Sequence, residues 1–140
     1  APLLEALAVM PGHLQGSPSS LGVVGTVTAW TECDDWLSAA RRTVTARRDQ
    51  LARRLAEDVP SVRLDRPQAT YLCWLDFTET GLGDDPARVL LDRFGVALSS
   101  GPLFGPNGAG FARVNVATSE GILDEVIDRI AEAVDQSSIA

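Results

Sequence analysis

Apolar residues recur at helical spacing through the first sixty positions, and after Pro60 the spacing falls to two. The opening stretch APLLEALAVMPGHLQG holds a short apolar helix-like segment that stops where Pro11 and Gly12 punctuate it. In SPSSLGVVGTVTAW, Ser19 or Ser20 is placed to cap a helix that is apolar on nearly all sides as far as Trp30, a composition that expects burial or docking. Asp34 or Asp35 then opens a long helix to about Asp58, carried by Leu37, Ala40, Val44, Leu51 and Leu55. At 1.5 Å per residue such a helix extends about 37 Å, against an expected radius of gyration of roughly 14 Å, so it is expected to cross between domains.

Beyond Pro60, VRLDR (62–66) and TYLCWLDF (70–77) alternate as strands do, separated by a turn at Pro67. TYLCWLDF carries apolar residues on both of its faces, which predicts a central strand. DDPARVLLDRFG carries the signals of a helix at both ends, with Asp85 as cap, Pro86 at the first helical position and Gly95 as the left-handed stop. VALSSG (96–101) predicts a short strand running into the loop GPLFGPNGAG, and FARVNVA (111–117) a further strand. A last helix follows a cap at Thr118 or Ser119, its apolar stripe made by Ile122, Leu123, Val126, Ile127, Ile130 and Val134. These elements predict an α+β two-layer sandwich: a three- or four-stranded, mainly antiparallel sheet with helices on one face, preceded by the long interdomain helix. The expected division is a segment 1–33 that docks elsewhere and a domain 34–140 that includes the long helix 34–58.

One residue disturbs this pattern. Arg113 stands in the middle of an apolar strand, where a charge is tolerable only if paired and hydrogen-bonded. Alternation places Phe111, Arg113, Asn115 and Ala117 on one face. Arg113 either pairs with an internal carboxylate such as Asp76 or Asp65, or awaits a ligand.

Composition narrows the partners. The 140 residues are 45% apolar and 22% charged, ordinary for a globular protein, and the net charge of −7 argues against nucleic acid. No apolar run approaches the roughly 20 residues that span a bilayer, and no signal segment opens the chain, so no membrane partner is expected and the protein reads as soluble and cytoplasmic. All twelve basic residues are arginine; the sequence contains no lysine. Six of them lie between residues 41 and 54 and are expected to form a solvated face, their stems covering apolar surface. Cys33 and Cys73 have neither CxxC nor metal-ligand spacing and read as structural thiols. His13, the only histidine, has no acid or thiol beside it, and no metal site is expected. Ser99 and Ser100 lack a base and an oxyanion motif. The glycines of 101–110 lack the strand-to-helix context of a phosphate cradle.

In this order and at these separations, ATYLCWLDF, GVALSSGPLFG and GFARVNVAT resemble the C-terminal small domain of the class I/II aminotransferases, pyridoxal-phosphate enzymes of fold type I. The tryptophan in TYLCWLDF is closest to the branch of cystathionine beta-lyase-like carbon–sulfur lyases. SPSSLGVVGTVTAW and WLSAARRTVTARRDQL resemble the two helices that lead out of the large domain, so the similarity covers nearly the whole chain. The resemblance implies that Arg113 holds the α-carboxylate of an amino-acid substrate, which suits a planar guanidinium that stays charged and pairs in two-pronged fashion. It further implies that Asn115, Ser100, Gly101 and Phe104 line the site, with 101–110 gating its mouth. It implies a homodimer in which Ser17 and Ser19 reach the partner subunit's site.

One departure is severe. Enzymes of this family hold the cofactor on a lysine, and this chain has none, nor the aspartate and phosphate loop that belong to the large domain. The chain is therefore expected to be a fragment that carries a substrate-recognition half-site, binds no pyridoxal phosphate and is itself inactive, the cofactor belonging to the full-length enzyme. A free-standing amino-acid-binding regulatory module, or a dimerisation domain using helix 19–30, remains the alternative.

Overall fold

A computed structural model describes residues 2–11, 16 and 18–138. His13 and Ser17, singled out above, lie outside the described residues. The chain separates into two units, Ala1–Ala39 and Ala40–Ala140.

The first unit contains α1 (Pro2–Ala8) and α2 (Ser20–Glu32). Ser19 caps α2 as its sequence suggested: its hydroxyl oxygen accepts from the Gly22 N–H at 3.4 Å, satisfying one of the four unpaired donors of a helix start. No residue of α2 is buried, and Leu21 and Trp30 are each 84% exposed. The long helix α3 (Asp34–Asp58) begins in this unit and continues into the second.

In the second unit, β1 (Arg63–Leu64), β2 (Leu72–Asp76), β3 (Ser99–Ser100) and β4 (Phe111–Asn115) form one antiparallel sheet in the order β1-β2-β4-β3. β2 is internal, as its two apolar faces required. The helices α4 (Pro86–Phe94) and α5 (Glu120–Ser137) contribute to the core with α3. Cys73, Leu75, Ala112 and Val114 point into that core and meet Leu51 and Leu55 of α3, Leu90 of α4, and Leu123, Ile127 and Ile130 of α5. The opposite sheet face carries Leu72, Trp74, Asp76, Phe111, Arg113 and Asn115, none of them buried.

The helix ends fall where their caps put them. Asp85 accepts from the Arg88 N–H at 3.2 Å, and Gly95 adopts φ 67°. The strands are all shorter than expected, for local reasons. Val96 donates its N–H to Leu90 O at 3.0 Å to close α4, so the strand expected from 96 pairs only at Ser99–Ser100. Asn115 Oδ1 accepts from the Ala117 N–H at 2.8 Å, a side-chain turn that ends β4 two residues before the expected 117. Thr70 takes φ 68°, rare for a β-branched residue, which keeps β2 from starting at 70. β1 stops at Leu64, short of Pro67, which has no N–H to give a ladder.

The arginine-rich stretch is less solvated than expected. Arg41, Arg42 and Arg53 are exposed, but Arg47, Arg48 and Arg54 are half-buried and fasten α3 to its surroundings. Arg47 donates to Gln50 Oε1 at 2.6 Å and to Glu120 at 2.9 Å, and buried Gln50 donates to Asp124 at 2.7 Å. Arg54 reaches Asp124 and Asp128, both at 2.7 Å, and also Asp58 of its own helix. The bonds to Asp58, foremost, and to Asp128 raise the Arg54 pKa above its ordinary value. Arg48 donates to Pro67 O at 2.9 Å.

Candidate functional site

The site forms on the sheet face that the helices leave open. Register decides its members: Arg113 of β4 stands opposite Trp74 of β2 on one side and Ser99 of β3 on the other. Directly opposed residues share a face, so these three side chains converge. Arg113 Nη2 donates to Ser99 Oγ at 3.3 Å. Its guanidinium carbon lies 4.7 Å from the centre of the Phe104 ring, within cation–π range. Its Nε is buried and has no acceptor among the described residues. No ion pair between described residues involves Arg113: Asp76 accepts instead from the Thr78 hydroxyl at 2.6 Å and backbone N–H at 2.9 Å, with Arg63 at 3.6 Å.

Phe104 comes from the 101–110 loop, which consists of two 3-10 turns, Gly101–Phe104 and Pro106–Gly108. They are drawn together at Gly101 and Gly108, where a Cβ on Gly101 would lie 2.2 Å from Gly108 O and 2.4 Å from Phe111 O. Only hydrogen fits there. The Phe104 ring in turn meets Trp74 edge-on, centroids 5.3 Å apart, and Trp74 stacks on Phe111 at 5.8 Å.

Beside Arg113 a depression of about 270 Å³ is lined by Leu72, Ala97, Leu98, Ser99, Arg113 and Asn115. A second, of about 360 Å³, is lined by Arg63, Asp65, Trp74, Asp76 and Phe111. Burial pushes the Asp76 carboxyl upward, but the two Thr78 bonds and the Arg63 charge outweigh it and hold the pKa below the usual 3.8. The first depression thus has a cationic side chain in its wall.

Of the residues expected to line this site, Arg113, Asn115 and Phe104 lie on the open face. The exposed Asn115 has its carbonyl oxygen committed to Ala117. Ser100 pairs with Ala112, whose side chain faces the core, so its neighbour Ser99 is the serine that meets Arg113. Gly101 is buried and acts through its missing side chain. Ser19 uses its hydroxyl oxygen as the α2 cap. Period-two alternation does not identify Ser99 as the hydrogen-bond partner of Arg113 or Trp74 as its cross-strand neighbour, because which residues oppose each other depends on strand register. Cys73 is a buried thiol whose pKa burial pushes up, which disfavours the reactive thiolate. Among the described residues no group of histidine, cysteine and acidic side chains could hold a metal, and no described helix is long and apolar enough to cross a membrane.

Comparison with known proteins bears directly on this geometry. Residues 3–130 match the family "Aminotransferase class I and II". A Mycobacterium tuberculosis protein provisionally named cystathionine beta-lyase is 38% identical over 91% of this chain and 36% of its own length. The crystal structure of a Corynebacterium diphtheriae protein, provisionally termed a PLP-dependent beta-cystathionase, superposes with a TM-score of 0.84 at 30% identity, over 96% of this chain and 36% of that one. The PLP-bound C-S lyase of Staphylococcus hominis gives a TM-score of 0.79 at 26% identity, over 85% and 32%. The chain thus spans about a third of the length of the relatives it matches. With no lysine in its sequence, it offers no ε-amine on which such a cofactor could be carried. The match across residues 3–130, the antiparallel sheet and the helices that pack on it place this chain in the class I and II aminotransferase family.

Proposed function

We propose that this chain is the substrate-recognition small domain of a pyridoxal-phosphate-dependent aminotransferase or C–S beta-lyase acting on amino acids, with Arg113 receiving the substrate α-carboxylate. The observation that carries this reading is the state of Arg113: a half-buried guanidinium with a hydroxyl on Nη2, an aromatic ring against it and a buried Nε that lacks an acceptor. A half-buried cation without a counter-ion is costly, and a carboxylate is the anion whose two oxygens match the fork of a guanidinium. Pyridoxal phosphate supplies electron withdrawal from the amino acid in such enzymes, and its lysine belongs to the part of the enzyme outside this chain. Asn115 and the 101–110 loop border the carboxylate position. In the assembled homodimer Ser19 lies toward the partner subunit's site.

The experiment is kinetic, on the enzyme that joins this domain to the lysine-bearing part. Arg113→Ala is expected to lower kcat/KM for amino-acid substrates by about 2 to 5 kcal/mol, roughly 30-fold to a few thousandfold, with a smaller loss in Arg113→Lys. Unchanged kinetics in Arg113→Ala would refute the carboxylate role.

A further inference from the structure

The environment of Arg113 is aromatic on one side in a way that its charge does not require. A guanidinium can be held by carboxylates or carbonyls; here it rests on the ring of Phe104, 4.7 Å from its centre. Phe104 is itself 53% exposed, so its ring does not owe its position to burial in the core. Two features fix it. The edge-to-face contact with Trp74 at 85° sets the ring's tilt, and Trp74 is anchored by its stack on Phe111 and by the β2–β4 ladder. The backbone clamp of Gly101 against Gly108 sets where the loop can place the ring. Ser99 reaches the same guanidinium at Nη2. A hydroxyl on one nitrogen and a ring 4.7 Å from the guanidinium carbon together restrict the guanidinium.

We propose that Phe104 is a positioning residue for anion binding at Arg113: its ring, steered by Trp74 and Phe111, holds the guanidinium beside the depression that Ser99 and Asn115 also line, where a carboxylate is received. This rests on the carboxylate role of Arg113 given above. The interaction is with the ring face, so it depends on aromaticity and not on apolar volume. A cation–π contact at a partly exposed site corresponds to a factor of about two to five in affinity.

The test uses the chain itself, labelled with nitrogen-15, and follows the Arg113 Nε–Hε resonance, which a buried nitrogen protects from rapid exchange. Arg113→Lys identifies the signal by its loss. The probe is sodium propionate, with propionamide at matched ionic strength as the uncharged control. In the wild-type chain the resonance is expected to carry a ring-current shift and to move with propionate but not with propionamide. Phe104→Leu keeps an apolar side chain at an exposed position; it is expected to lose the ring-current shift and to bind propionate about two to five times more weakly. Phe104→Tyr restores both. If the wild-type resonance responds to propionate and Phe104→Leu binds it equally well, the positioning role is overturned while the carboxylate role stands. If the wild-type resonance does not respond to propionate, both are overturned.

Discussion

Alanine at Gly101 is the sharpest test of the loop that carries Phe104. A Cβ there would meet the carbonyl oxygens of Gly108 at 2.2 Å and Phe111 at 2.4 Å, and real Cβ atoms essentially never approach within 3.0 Å. Neither neighbour is a side chain that could swing aside. Phe111 is tied to β2 opposite Asp76, and the loop's far end is held by Gly110, which donates to Asp84 O and accepts from Phe77 N, both at 2.8 Å. Gly101 does not have a positive φ, so the penalty is steric alone. Overpacking a tight site costs about 1 to 3 kcal/mol, and with backbone on both sides the upper part of that range, about 2 to 3 kcal/mol, is expected. The second unit spans Ala40–Ala140, a size at which each kcal/mol shifts the melting temperature by roughly 4 to 8 °C, so Gly101→Ala should melt roughly 10 to 20 °C lower. Gly121→Ala is the matched control. It lies in the first turn of α5 with nothing within 4 Å of its virtual Cβ, and alanine there should hold or raise stability by up to about 1 kcal/mol. Thermal melts followed by far-ultraviolet circular dichroism decide the matter. A Gly101→Ala chain melting within about 2 °C of wild type would mean the two turns do not press on each other as described.

Two further outcomes follow from the charged groups. Asp76 has a folded pKa below its unfolded value, so it contributes stability above the unfolded pKa of 3.8 that disappears as pH falls through the folded one; urea midpoints of wild type and Asp76→Asn should therefore differ near pH 6 and draw together as pH falls below 3.8, and a difference that does not shrink there would contradict the Thr78 and Arg63 assignment. Arg54→Met keeps the apolar stem but leaves Asp58, Asp124 and Asp128 without their common cation, and because these groups are partly exposed the expected loss in urea unfolding is about 1 to 2 kcal/mol, shrinking in high salt; no loss would show that the cluster is solvated.

Helix ends were legible in the sequence because their determinants are local. Ser19, Asp85 with Pro86 and Gly95, and Ser119 each act within four residues of themselves. Strand ends were not, since they depend on which backbone groups find other partners: Val96 on Leu90, Ala117 on Asn115. The same distinction runs through the site. A charge in an apolar strand announces Arg113, and alternation alone puts it beside Phe111 and Asn115. Ser99 in place of Ser100, and the meeting of Trp74 with Phe104, depend on inter-strand register and loop closure, which single-residue patterns do not encode. The half-burial of Arg47 and Arg54 escapes the local pattern for a like reason, as their carboxylate partners lie some seventy residues away on α5.

Arg113 sits on a strand with hydrogen-bonded neighbours on both flanks, β2 on one side and β3 on the other. Fixing one residue's backbone takes about 1 to 2 kcal/mol of conformational entropy, and in β4 that loss is incurred when the protein folds. An anion arriving at the guanidinium meets a main chain that has no freedom left to surrender, and the side-chain torsions are already narrowed by Ser99 and Phe104. The same guanidinium on a mobile loop would have to be immobilised by its ligand, and the contact would be weaker by that amount. For the anion role proposed above, placement on an interior strand removes the cost of ordering the backbone from the binding step.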